Sequence, residues 1–104
     1  MAITINEFWK LAIESQLIAA EDAAKLAHTF ATSNPGVTAV EELARFLVGT
    51  KLTPYQAKIL LAGRPGPFVY GDYVIYERIE TGRMAGIFRA LHRSTGHRVC
   101  LMFL

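Results

Sequence analysis

Apolar residues recur every three to four positions through the first sixty residues and every second position from about residue 73, so the chain changes period part-way along. A spacing of three to four stacks side chains on one helical face, whereas alternation places them on one face of a strand. Ile5, Phe8, Trp9, Ala12 and Ile13 form the first helical stripe, and Ala23, Leu26, Ala27 and Phe30 the second. Ser33-Asn34-Pro35-Gly36 breaks the chain, because proline lacks a donor and disfavours helix before it. Thr38 with Glu41 reads as a capping box for a third helix, whose stripe is Val40, Leu43, Ala44 and Leu47 and which ends at Gly49. Thr53-Pro54-Tyr55-Gln56 combines an N-cap, a first-turn proline and a box glutamine. It predicts a fourth helix over 54–62, closed by Gly63. An offset of 34 residues lays Trp9 on Leu43, Ile13 on Leu47, Ala23 on Ala57 and Leu26 on Leu60, the mark of two similar helical hairpins. Two copies are too few for a self-supporting solenoid, so the expectation is a four-helix bundle.

After the stiff joint Arg64-Pro65-Gly66-Pro67 the residues favour pleated structure. The pattern predicts strands over 73–79, 87–91 and 98–104, turning at Thr81-Gly82-Arg83 and at Ser94-Thr95-Gly96. In the last strand Val99, Leu101 and Phe103 point one way and Cys100, Met102 and Leu104 the other, so both faces are apolar and both need cover. The expected fold is therefore α+β. A helical module spans 1–63, a linker 64–68, and a three-stranded antiparallel meander 69–104, all packed as one unit. The helices cover one face of the sheet; nothing in the pattern assigns a cover to the other.

Composition narrows the picture. With 104 residues, 52% of them hydrophobic and 19% charged, the chain has the make-up of a single folded domain and not of a disordered segment. No apolar run approaches the ~18 residues of a membrane span, and Met1 to Asn6 lack the features of a signal peptide, so a cytoplasmic protein without a membrane partner is expected. The single cysteine, Cys100, excludes an internal disulfide. The net charge of +2 is unevenly spread: residues 63–104 hold six arginines against three acids, and no lysine follows Lys58.

The missing lysine matters because residues 46–104 resemble a known arrangement. Leu52-Thr53-Pro54-Tyr55-Gln56-Ala57, Leu60-Leu61-Ala62-Gly63-Arg64, Gly71-Asp72-Tyr73-Val74-Ile75, Gly82-Arg83-Met84, Phe88-Arg89-Ala90-Leu91-His92-Arg93 and Arg98-Val99-Cys100-Leu101-Met102 follow in order and spacing. Together they resemble the helical region and the first three small-lobe strands of planctomycete-type bacterial serine/threonine protein kinases. In such kinases a Gly-x-Gly-x-x-Gly-x-Val loop closes over the ATP phosphates, and a third-strand lysine holds them. The corresponding positions here are Glu80, Gly82 and Ala85, then Ile87 for the valine and Met102 for the lysine. Glu80 sets a carboxylate where phosphate oxygens would sit, and Met102 cannot replace a cation. The catalytic loop and the metal-binding motif are absent from the 104 residues. The resemblance thus implies a pseudokinase-like chain that binds no ATP, holds no cofactor or metal and catalyses no phosphoryl transfer.

Other chemistry finds less support. His28 has no second ligand at metal spacing, and His92 with His97 lacks a third. Cys100 sits mid-strand in an apolar run, where burial would raise its pKa and quench a nucleophile. Arg78, Arg83, Arg89, Arg93 and Arg98 interleave with Tyr70, Tyr73, Tyr76 and Phe88, a mixture used to bind single-stranded nucleic acid, although +2 is a small charge for that task. The residues at the kinase cleft positions, Ile79, Ile87, Cys100 and Met102, form an apolar strip that is the candidate interface. Three readings follow. The leading one is a non-catalytic protein-interaction or regulatory module, acting on a protein partner or as a homodimer. The alternatives are an N-terminal piece of a longer kinase or pseudokinase, and a small single-stranded nucleic-acid-binding domain.

Overall fold

The structure, a computed structural model, describes residues 3–103. Four helices come first: α1 (Ile5–Glu14), α2 (Ala20–Ser33), α3 (Val40–Leu47) and α4 (Pro54–Leu61). Four strands follow: β1 (Val69–Tyr70), β2 (Tyr73–Arg78), β3 (Phe88–His92) and β4 (Arg98–Leu101), joined antiparallel in chain order. The α+β expectation holds, with one strand more than the three predicted. β1 has two residues, too few for alternation to show, and it exists because Gly71-Asp72 turns Tyr70 back onto Tyr73 and Val69 onto Val74.

The first three helices turn most of their expected stripes inward, with Ile5, Leu26 and Ala27 half-buried. Thr4 and Glu7 form a reciprocal capping box that opens α1, and Phe8, Trp9 and Ala12 go into the core, but Ile13 is 39% exposed. Ser15 stops the helix: its hydroxyl donates to the Ala12 carbonyl and accepts from the Leu17 amide, while Gln16 adopts φ 66°. The Thr38–Glu41 box does not form. The N-cap of α3 is Ala39, without a side-chain bond. Burial of Val40, Leu43, Ala44 and Leu47 sets where the helix begins, and that packing outweighs a cap worth about 1 kcal/mol. The Thr53–Gln56 box forms as the residues imply and opens α4.

The four helices share one core, and α1 touches each of the other three. Phe8, Ala12, Leu43, Leu47 and Leu60 are its fully enclosed members. Phe68, which the sequence reading left in the linker, is 2% exposed and belongs to the same cluster. Gly66 makes that possible. It sits at φ +109°, and a Cβ there would lie 2.6 Å from the Phe68 backbone nitrogen and 2.8 Å from its ring.

The sheet meets the helices by its edge. Beyond the short β1, the Gln56 amide donates to the Ile75 carbonyl at 2.8 Å, and the Thr53 hydroxyl donates to the Tyr76 carbonyl at 2.6 Å. β2 carries a register shift between Ile75 and Glu77 that frees these two carbonyls for α4. Of the strand residues only Ile75 and Ala90 are buried. The helices therefore cover only part of one face, where Ile75 and Ala90 pair and Tyr55 packs on Phe88, and the molecule is drawn out to 44 × 30 × 19 Å.

Candidate interaction surface

Two hairpin turns fix which side chains share a face. In the β3–β4 turn the His92 amide donates to the His97 carbonyl and the Gly96 amide to the His92 carbonyl, both at 2.8 Å. With Gly96 at φ +76°, this four-residue turn sets His97 opposite His92. The His92 ring completes the turn, its Nδ1 accepting from the Thr95 amide at 3.2 Å while the ring lies edge-on to Tyr73. In the β2–β3 loop the Gly86 amide donates to the Ile79 carbonyl and the Ile79 amide to the Ile87 carbonyl, which pairs Ile79 with Ile87.

From those anchors one face carries Tyr70, Tyr73, Phe88 and Phe103. Their rings run on from the helices: Tyr55 packs edge-on to Phe68 (centroids 6.3 Å apart) and to Phe88 (6.4 Å), Phe88 to Phe103 (5.5 Å), and Phe103 lies 4.8 Å from Tyr70. The Arg78 guanidinium sits 5.9 Å from the Phe88 ring centre. Burial holds the Tyr55 phenol above its ordinary pKa, with Arg78 opposing.

The opposite face carries Val74, Leu91, Arg89, Cys100 and, by strand alternation, Ile79, Ile87 and Met102. The four residues of the candidate strip are thus placed on one face. Ile79 and Ile87 are half-buried; Cys100 is exposed, and Met102 is 65% exposed. The N-terminal segment does not reach them, since Ile3 and Ile5 pack on the helical cluster. Arg89 pairs with Glu77 at 3.2 Å on this face, an exposed pair of little energetic weight. Next to it a groove of about 600 Å³ opens between the α3–α4 loop and the sheet. Leu52, Pro54, Val74 and Leu91 line it, together with the cations Lys51 and Arg98. Sequence reasoning missed this groove, because nothing in the pattern brings residues 48–56 to the sheet.

Of the kinase-like positions, Ile87 and Met102 share one face of the sheet. Glu80, Gly82 and Ala85 lie in the exposed β2–β3 loop, and a Cβ on Gly82 would meet nothing within 4 Å, as at an ordinary turn. The arginine set is scattered: Arg78 lies over the aromatic face, Arg89 and Arg98 on the other, and Arg83 and Arg93 in the loops. Among the described residues no three of His, Cys, Asp and Glu gather as a metal site, and no helix is long and apolar enough to cross a membrane. Comparison with known proteins finds no matching family model, no matching curated protein and no matching solved structure.

Proposed function

We propose that this chain is a non-catalytic protein-interaction module, related as its sequence resemblance implies to bacterial serine/threonine kinases, in which the helices anchor a sheet that makes the contacts. One observation carries the reading. Because α4 holds the sheet by its edge, both faces are left with exposed apolar side chains, among them Leu91 (38%), Phe103 (50%) and Met102 (65%). Single exposed apolar residues are ordinary, but a run of them on adjacent strands is a surface that water disfavours and a partner relieves. The positions matching the kinase phosphate loop and lysine support the non-catalytic part, since Glu80 adds a negative charge there and Met102 brings no cation.

The test is photo-crosslinking in the living cell from residues introduced at Leu91 and at Met102, with Lys25 on the exposed side of α2 as control. The expected result is discrete protein adducts from the two sheet positions and none from Lys25. Equal, diffuse labelling from all three would remove the proposal. Saturable binding of ATP with magnesium would remove its non-catalytic part.

A further inference from the structure

The two edges of the sheet are treated differently. On the β1 side β2 is provided for from Tyr73 to Tyr76: β1 pairs with Tyr73 and Val74, the Ile75 amide donates to the Phe68 carbonyl at 2.8 Å, and α4 takes the carbonyls of Ile75 and Tyr76. On the far side, β4 has a neighbour on one flank only among the described residues. The turn at Gly96 sets its phase. His97 bonds back to His92, so in an antiparallel ladder Val99 and Leu101 also turn their backbone groups toward β3, while Arg98, Cys100 and Met102 turn theirs outward. Edge strands are normally guarded by proline, lysine, an inward charge or a bulge. β4 pairs in continuous register with β3, and residues 98–103 contain neither proline nor lysine and one charge, Arg98.

We infer that β4 is the edge through which two copies of this chain pair antiparallel about a two-fold axis at Cys100, joining two four-stranded sheets into one. This rests on the interaction-module reading and names its partner. A second copy fits because the strand complements itself in that register. Cys100 faces Cys100, and Arg98 faces the second copy's Met102, so no like charges oppose each other. Val99 faces Leu101, and Phe103 faces His97, so apolar side chains meet on the aromatic face as well. All three outward-facing residues become backbone partners, each facing pair exchanging two hydrogen bonds. A register shifted by two residues would leave one of them unpaired.

The experiment is sedimentation velocity on the full 104-residue chain under reducing conditions, with Cys100→Lys and Cys100→Glu. The wild-type chain is expected to be dimeric at roughly 100 µM. Each variant sets like charges opposite each other at the axis and should raise the dissociation constant about fivefold or more, while an equimolar mixture restores a mixed dimer. Amide hydrogen exchange gives a second readout that needs no variant: protection at Arg98, Cys100 and Met102 should rise with protein concentration, and at Val99 it should not. A wild-type chain that stays monomeric, a Cys100→Lys chain that dimerises as before, or a mixture that fails to recover would each overturn the pairing. Adducts from Leu91 and Met102 to an unrelated protein, with a monomeric wild-type chain, would sink the pairing and leave the interaction module standing.

Discussion

The helical half and the sheet half solve the burial problem in different ways. The helices close a core on themselves, and every member of the main buried cluster comes from residues 8–68. The strands contribute Ile75 and Ala90 and otherwise depend on their own ladder and on α4. A short amphipathic helix is stable only when its stripe is covered, so four of them must find each other. A meander satisfies its backbone by pairing and can leave side chains exposed if something holds its edge. The difference assigns stability to the first half and surface to the second.

The largest test of this division is Leu60→Ala, at a fully enclosed core position, against Leu91→Ala on the open sheet. The first should cost about 2 to 5 kcal/mol in chemical unfolding and the second less than about 0.5 kcal/mol. Similar costs would mean that the sheet carries a core of its own. Gly66→Ala should come next, at about 1 to 3 kcal/mol, because its Cβ collides with the Phe68 backbone and pushes the one joint residue out of the helical core. A thermal midpoint unchanged in this variant would show that the joint is not fixed by Phe68.

Gln56→Leu cuts the link between the halves. It removes the second half of the α4 capping box and leaves the Ile75 carbonyl without its amide partner, for a cost of about 1 to 3 kcal/mol. Amide exchange should then speed up in β2 before it does in α1; uniform acceleration would mean that the halves unfold as one unit regardless of this contact. The smallest effect concerns Glu7, whose carboxylate accepts from the Thr4 amide and is held below its usual pKa mainly by that bond. A depressed folded pKa means that its stabilisation is complete above the ordinary carboxylate range and is lost as pH falls through the lowered value. The shallow decline in stability on acidification should therefore be smaller in Glu7→Gln than in the wild-type chain, and an identical acid limb would count against the capping box.

Local rules reached a good deal of this molecule. The Thr53-Pro54-x-Gln56 cap, the helical stripes and the alternation in β2 to β4 depend on neighbours within a turn or a pleat, and the structure contains them. Alternation alone put Cys100 and Met102 on one face; that Ile79 and Ile87 join them was implied only by the kinase resemblance. At α3 the distant demand won over the local one: Thr38 lost its cap because Val40 and Leu43 had to be buried. Residues Thr53 and Gln56 show the division most plainly. Their capping role follows from spacing alone, but each also keeps a donor free once the cap is made. Which carbonyls those donors would find, some twenty residues further along, depended on a bulge in β2 and on Phe68 folding back into the helical core. That choice turned the sheet edge-on, and with it decided which strands are sealed and which are open.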